Sequence, residues 1–345
     1  MELRTIEWKD NSVIMIDQTK LPNELIFVKY TDYNDVAEAI RTLVVRGAPA
    51  IGVSGAFGMA LAALQSSSEN IEDLLSDLKK AKKILFETRP TAVNLSWALE
   101  KIMKIAEQGK TVSEIKDSVI AKAKNMAEDD ININKKMGKN GAELFQNNDT
   151  IMTHCNAGAL ATVAYGTALG VIRATNESGK NIKVIATETR PVQQGSRLTA
   201  FELKHDGIDV ILIPDTAVGY TMANDLVNGV VVGADRILQT GHVFNKIGTY
   251  QVATMAKRHN VPFYVAAPLS TFDLKSRPEE IIIEQRKPSE VTGIGDKKTA
   301  PDGISVINPA FDITPPELIS GIITENGIVK PPFEKSIKEL FQAKK

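Results

Sequence analysis

A single cysteine, Cys155, occurs in the 345 residues, so no internal disulfide can form. The N-terminal Met1-Glu2-Leu3-Arg4 opens a polar stretch without the apolar core of a secretory signal. Together these two absences predict a cytoplasmic protein. No apolar run approaches the roughly 20 residues that a bilayer crossing requires, and stretches such as Val227 to Val232 are broken by polar residues or glycine, so no membrane partner is expected. Excess charge is absent as well: 41 basic against 42 acidic side chains leave a net charge of −1. That balance argues against a nucleic acid or an acidic membrane held by bulk electrostatics, while a local basic pocket stays compatible with it. Neither His154 nor His205 has a Cys or His neighbour at metal-ligand spacing, so no metal site is expected.

What is there reads as an ordinary globular composition, 43% hydrophobic and 24% charged, in a chain long enough for two domains. Thr5 to Trp8, Ser12 to Ile16 and Leu25 to Tyr30, separated by Asp10-Asn11 and Pro22-Asn23, predict a small antiparallel meander. From Asp32 the period turns helical, with Val36, Ala39, Ile40 and Leu43 on one face and Asp32 or Asn34 as cap. Val45-Arg46-Gly47-Ala48-Pro49 is a Gly/Pro turn feeding a small-residue helix through Leu64, and further helices are expected at about Ile71 to Phe86, Ser96 to Ala106 and Thr111 to Phe145. After Asn147-Asn148-Asp149 come apolar, β-branched runs at Thr150 to Thr153, Ile182 to Ala186, Val210 to Ile213, Val230 to Val232 and Phe263 to Ala266, each beside a helix-like segment. The pattern predicts an α/β fold: a Rossmann-like, doubly wound parallel sheet domain over 126–345, preceded over 1–125 by a mainly helical domain with a small N-terminal antiparallel sheet. No Gly-x-Gly-x-x-Gly follows the first strand of that sheet, so no dinucleotide is expected despite the layout.

Cys155 stands after the apolar Ile151-Met152 and before Gly158, where a small-residue helix is expected to begin. Open α/β sheets bind ligands at such strand-to-helix turns, which puts Cys155 at a pocket; a lone cysteine here can also be a small packed hydrophobe. Arg46, ahead of a glycine turn and a helix N-terminus, suits an anion, and Arg89 repeats the setting in an Arg-Pro turn; two solvated loop arginines is the other reading. The second strand of the sheet runs on to Thr187-Glu188-Thr189-Arg190-Pro191 and Gln194, and the fourth to Gly233-Ala234-Asp235-Arg236. Asn245-Lys246 is expected to open a helix. Structural readings exist for each, with Glu188 pairing Arg190, Asp235 pairing Arg236 and Asn245 acting as an N-cap. Their shared address at one edge of the sheet favours a common site.

A site built of Cys155, Gln194, Asp235, Asn245 and Lys246 with Arg46 and Arg89 offers a thiol, a carboxyl, an ammonium, amides and guanidinium groups. It lacks the Ser-His-Asp set of hydrolases, a metal cage and a Walker loop. Such an inventory suits a rearrangement of a small phosphorylated metabolite without a cofactor. Cationic side chains and a helix N-terminus would hold the phosphate, and carboxyl and thiol would move protons.

Six ordered stretches, Val45-Arg46-Gly47-Ala48-Pro49-Ala50-Ile51-Gly52, Arg89-Pro90-Thr91 with Asn94-Leu95-Ser96-Trp97, Thr153-His154-Cys155-Asn156-Ala157-Gly158, Glu188-Thr189-Arg190-Pro191 with Gln194-Gly195-Ser196-Arg197, Gly233-Ala234-Asp235-Arg236-Ile237 and Asn245-Lys246-Ile247-Gly248-Thr249, closely resemble the S-methyl-5-thioribose-1-phosphate isomerases of methionine salvage. Ala267 to Asp273 and Asn308 to Pro315 extend the likeness to nearly the whole chain. The resemblance implies a homodimeric, cofactor-free aldose-ketose isomerase, in one superfamily with the regulatory α, β and δ subunits of eukaryotic initiation factor 2B. It implies Asp235 as general acid/base and Cys155 as the second essential group, with substrate contacts at Arg46, Gly47, Ala48, Arg89, Gln194, Asn245 and Lys246. A different ribose 1-phosphate derivative, or a non-catalytic scaffold like the initiation-factor subunits, are the competing readings.

Overall fold

The computed structural model describes residues 3–90, 92–295 and 297–342; Thr91 of the Arg89-Pro90-Thr91 stretch lies outside the described residues. The chain divides into two compact units, Met1–Lys135 with Gly158–Gly166, and Lys136–Ala157 with Thr167–Lys345.

In the first unit β1 (Ile6–Lys9), β2 (Ser12–Ile16) and β3 (Phe27–Tyr30) form an antiparallel meander in that order. Val13 and Met15 point into the core, as the alternation requires. The helices are α1 (Tyr33–Arg41), α2 (Ala48–Gln65), α3 (Ile71–Phe86), α4 (Val93–Ala106) and the larger part of α5 (Val112–Ala142), whose residues from Lys136 on belong to the second unit. Asp32 caps α1 through the Asn34 N–H and Asn70 caps α3 through the Asp73 N–H. The boundary expected at 125/126 falls inside α5, which is one continuous helix.

Helix α2 is apolar on every side and forms the centre of this unit, packed by α1, α3 and α4. It is long and apolar enough to cross a membrane by length and composition; here most of it is buried in the core. Small residues let its neighbours approach. A Cβ on Gly55 would lie 2.5 Å from Leu95 Cδ1 of α4, and one on Gly58 would lie 2.9 Å from Leu85 Cδ2 of α3.

The second unit is built on a seven-stranded sheet. Its strands are β4 (Thr150–Thr153), β5 (Lys183–Thr187), β6 (Asp209–Ile213) and β7 (Gly229–Val232), interleaved with α6 (Ala168–Glu177), α7 (Ala200–His205) and α8 (Val218–Ala223). The chain then forms the hairpin β8 (Arg236–Leu238) and β9 (Val243–Lys246), α9 (Thr249–Arg258), β10 (Phe263–Ala266) and β11 (Phe272–Asp273). A short α10 (Ser289–Thr292) and the ribbon β12 (Gly293–Ile294) with β13 (Lys297–Lys298) precede β14 (Phe311–Thr314), β15 (Gly321–Thr324), β16 (Gly327–Val329) and α11 (Phe333–Gln342). The order is β16-β15-β10-β7-β4-β5-β6, parallel except for β16.

The strand order reverses at β4. From it the chain moves to β5 and β6 on one side, then to β7, β10 and β15 on the other, so β4 and β7 flank a topological switch point. All the expected strands of this sheet are present, and β15 and β16 extend it. A second sheet, β11-β8-β9-β14, was not legible in the pattern. Two local expectations are corrected. Gly158 does not open a helix: Ala159–Ala161 make a 3₁₀ turn belonging to the first unit, and the helix begins at Ala168. Asn245 and Lys246 do not open a helix either; they end strand β9, and α9 starts at Thr249.

Candidate active site

Cys155 lies just beyond the end of β4 and Asp235 just beyond the end of β7, the neighbouring parallel strands at the switch point. Both are partly buried. Cys155 is in the left-handed region at φ 63, which its backbone bonds maintain: its N–H donates to Thr189 Oγ1 at 2.9 Å and its carbonyl accepts from Thr199 Oγ1 at 2.6 Å. The next residue is locked deeper. Asn156 Nδ2 donates to Glu202 Oε1 at 2.9 Å and to Thr199 Oγ1 at 3.1 Å, and fully buried Glu202 is neutralised by Arg173 at 2.8 Å. A buried carboxylate is costly unless paired, so this trio holds the backbone around the thiol only as a complete set.

His154, on the other side of Cys155, is buried between two partners. Its Nδ1 lies 2.7 Å from Thr187 Oγ1 and its Nε2 lies 2.9 Å from the Ile247 carbonyl. A carbonyl only accepts, so Nε2 carries the proton and Nδ1 accepts from the threonine hydroxyl. Burial holds the imidazole below its ordinary pKa, while the Ile247 carbonyl and Asp215 pull the other way. Thr187 Oγ1 is also 3.3 Å from Thr189 Oγ1, which completes a hydrogen-bonded path from the Cys155 amide to the Ile247 carbonyl.

Ile247 follows Asn245 and Lys246 directly, so this path brings the Cys155 segment beside theirs. Asn245 is buried, its Nδ2 donating to Thr249 Oγ1 at 3.0 Å, and Lys246 Nζ sits 5.1 Å from the centre of the Phe311 ring. Asp235 joins the same group through its N–H, which donates to the Phe244 carbonyl at 2.9 Å. Its neighbour Arg236 pairs with Asp273 at 3.0 Å. The N-terminus of α9 is already occupied: Asp312 accepts from the Gly248 N–H at 2.7 Å and the Tyr250 N–H at 3.1 Å. Burial pushes the Asp312 carboxyl up to about 6 against the opposing pull of those N–H groups and of Lys246. Two of the amides at that helix end, those of Gly248 and Tyr250, are therefore taken by Asp312.

Gln194 caps a π-turn over Gly195–Thr199 after β5, and its buried Oε1 has no hydrogen-bond partner among the described residues. A buried acceptor left unmade costs about 1–3 kcal/mol, so a donor arriving with a ligand would be rewarded there. Arg197, three residues further on in the same turn, is half-buried, and desolvation lowers its pKa. The guanidinium of Arg190, for which pairing with Glu188 is the structural reading, donates instead to the carbonyls of Glu290 at 3.3 Å and Val291 at 3.1 Å, while Asp215 accepts from the backbone N–H groups of Thr189 and Arg190 at 2.8 and 2.7 Å.

The remaining candidates lie in the first unit. Gly47 precedes α2 with φ 92, and a Cβ there would stand 2.5 Å from Ala161 Cα, so only glycine fits. Ala48 begins the helix, with no side-chain cap on its first amides. Arg46 Nε donates to Gln18 Oε1 at 3.2 Å, and buried Gln18 in turn donates to the Leu160 carbonyl at 2.7 Å. Arg89 ends the turn between α3 and α4; its backbone is tied to Phe86 and Ala92, and its guanidinium has no partner among the described residues.

Comparison with known proteins gives the geometry a lineage. Residues 44–331 match the initiation factor 2 subunit family. The chain belongs to this family. It is 51% identical to a methylthioribose-1-phosphate isomerase of Thermosipho africanus, over 99% of both chains. Among solved structures it resembles a 5-methylthioribose 1-phosphate isomerase of Pyrococcus horikoshii, with 45% identity, a TM-score of 0.94 and coverage of 99% and 96% of the two chains. It also resembles a protein described as translation initiation factor eIF-2B, subunit delta, of A. fulgidus, with 48% identity, a TM-score of 0.91 and coverage of 99% of each.

Beside these candidates the fold sets polar residues that the sequence pattern does not single out. His154 has no metal-ligand spacing in the sequence, and its contacts with Thr187 and Ile247 exist only in the fold. Thr187 and Thr189 follow the second strand of the sheet and Asp312 lies between Asn308 and Pro315, and their residue types alone mark no chemistry. A polar residue directly beside Cys155 is the available signal at His154.

Proposed function

We propose that this protein is an aldose-ketose isomerase that converts S-methyl-5-thio-α-D-ribose 1-phosphate to S-methyl-5-thio-D-ribulose 1-phosphate in methionine salvage. The observation that carries this reading is full-length identity of about half to methylthioribose-1-phosphate isomerases, and all the residues that the resemblance assigns are in place in the sequence.

The substrate's phosphate sits on the anomeric carbon, so the sugar cannot open to a free aldehyde. Asp235 gives a proton to the ring oxygen as the bond from that oxygen to C1 breaks, and the electron pair stays on oxygen. Hydrogen then moves from C2 to C1. In one route a base takes the C2 proton, leaving an enol phosphate that is reprotonated at C1; in the other, hydride passes from C2 to C1 while the C2 hydroxyl loses its proton. Either way C2 becomes the ketone and C1 keeps its phosphate. Cys155 serves the first route as thiolate and the second as a neutral thiol. A C2 deuterium lost to solvent marks the first, and one retained at C1 marks the second. Arg46, Gly47, Ala48, Arg89 and Lys246 are assigned to phosphate and sugar contacts, with Gln194 and Asn245 to hydroxyl groups.

The assembly we assign is a homodimer, with no nucleic acid or membrane partner. Edge strand β6 leaves Ile211 and Leu212 about half exposed, at 48% and 47%, which is apolar area of the kind a second copy covers. The likeness to the A. fulgidus protein favours a second reading, a non-catalytic scaffold. Purified protein assayed against the methylthio sugar, 5-deoxyribose 1-phosphate and ribose 1,5-bisphosphate separates these. Preference for the methylthio sugar is expected; preference for the bisphosphate removes the substrate assignment, and no turnover of any of them favours the scaffold.

A further inference from the structure

The peptide joining Ile247 to Gly248 is gripped at both polar ends by side chains from distant parts of the second unit. Its carbonyl accepts from His154 Nε2 at 2.9 Å, and its N–H donates to Asp312 Oδ2 at 2.7 Å. Because a peptide is planar and rigid, fixing its oxygen and its nitrogen fixes the orientation of the whole unit. The flanks are held too: the Ile247 N–H donates to the Ala310 carbonyl at 3.1 Å, and the Tyr250 N–H to Asp312 Oδ1. Gly248 takes φ 101, and a Cβ on it would fall 2.9 Å from His154 Cε1, so the imidazole packs on the bare α-carbon.

His154 uses both ring nitrogens, and Asp312 both carboxylate oxygens, on bonds within the protein. What they hold is the segment immediately after Asn245 and Lys246. Asp312 stands opposite Asn245 in the β9–β14 register and Phe311 stands opposite Lys246, so the carboxylate that takes the Gly248 amide is also anchored to the same strand pair. The charged groups facing the pair are Asp215 and Lys246 at His154, and Lys246 at Asp312.

We infer that His154 and Asp312 are positioning residues: they clamp the Ile247–Gly248 peptide and so fix where Asn245 and Lys246 meet the substrate. The kinetic part rests on the assignment of those two residues to substrate binding under the proposed function. The clamp itself does not.

The test compares His154→Gln, His154→Asn, Asp312→Asn and the double variant His154→Asn/Asp312→Asn. A glutamine amide reaches about as far as imidazole Nε2 and can still donate to Ile247; an asparagine amide stops near the Nδ1 position. Two quantities are read, amide hydrogen exchange over residues 245–252 and the steady-state constants per folded enzyme, with melting temperatures alongside. The asparagine variant at 154 is expected to exchange about tenfold faster in that segment and to raise KM about tenfold with a smaller change in kcat, whereas the glutamine variant restores both to within about threefold. Since one peptide is being held, the double variant is expected to be no worse than the worse single variant. Equal exchange and equal KM in the Gln and Asn variants, or losses that multiply in the double variant, overturn the clamp. If the unaltered protein turns over no sugar 1-phosphate, the substrate assignment fails while the exchange data still decide the clamp.

Discussion

Cys155 and Asp235 follow the ends of β4 and β7, the two hydrogen-bonded parallel strands at which the strand order of the sheet reverses. Their side chains are therefore carried by the pair of strands between which an open α/β sheet leaves its crevice. Everything around them is built to hold backbone rather than to titrate freely. Thr189 accepts from the Cys155 N–H and Thr199 donates to the Cys155 carbonyl, which fixes the peptides on either side of that residue, and the Phe244 carbonyl takes the Asp235 amide. The chemistry assigned to the two residues depends on that fixed frame.

Alkylation with iodoacetamide is expected to abolish turnover with modification at Cys155, the sole thiol, and saturating substrate is expected to protect it. Mass spectrometry of the partly inactivated protein checks this. Full modification with activity retained removes Cys155 from the site.

Arg89→Ala is expected to raise KM by roughly tenfold or more, as loss of one charge-assisted phosphate contact should, with little change in melting temperature because the guanidinium has no partner among the described residues. Steady-state kinetics and a thermal melt read the two effects separately. An unchanged KM and kcat takes Arg89 out of substrate binding.

Asp130, in α5, accepts from the Val163 N–H at 2.8 Å and from Asn134 Nδ2 at 3.2 Å, and burial pushes its carboxyl up to about 7. The folded protein thus holds this proton more tightly than the unfolded chain. Its contribution to stability falls as pH rises from the ordinary carboxylate value of 3.8 to about 7, and levels off above that. Asp130→Asn removes this slope. The melting temperature of the variant minus that of the parent is expected to become more positive from pH 5 to pH 8; a difference that stays flat contradicts the buried, proton-holding carboxyl.

Strands β4, β5, β6, β7 and β10 were legible because their runs are apolar and β-branched and each lies beside a helix-like segment, and α1 because Asp32 precedes a clean helical period. The second sheet was not, since β8 and β11 span only Arg236–Leu238 and Phe272–Asp273 and so few residues carry no period. That loss had a consequence for the site: Asn245 and Lys246 read as a helix start, when pairing with β14 makes them a strand end. At Gly158 the good helix formers Ala159, Leu160 and Ala161 satisfy helix propensity, yet Thr5 donates to the Ala159 carbonyl and Gln18 to that of Leu160, and these long-range bonds win. Cys155 and Asp235 stood out by residue type and by their address after strands. His154 and Asp312 did not, because their role is visible only once Ile247 and Gly248 lie between them.

Conversion of S-methyl-5-thio-α-D-ribose 1-phosphate, followed by phosphorus and carbon NMR with the unaltered protein beside Asp235→Asn, tests the central claim most directly. The account predicts that the unaltered protein forms the 2-ketose 1-phosphate with phosphate retained on C1, and that Asp235→Asn, folded with an unchanged circular dichroism spectrum, is slower in kcat by on the order of 10²–10⁴-fold. An unaltered protein that leaves the sugar unchanged, or an Asp235→Asn variant that turns it over at the same rate, contradicts it.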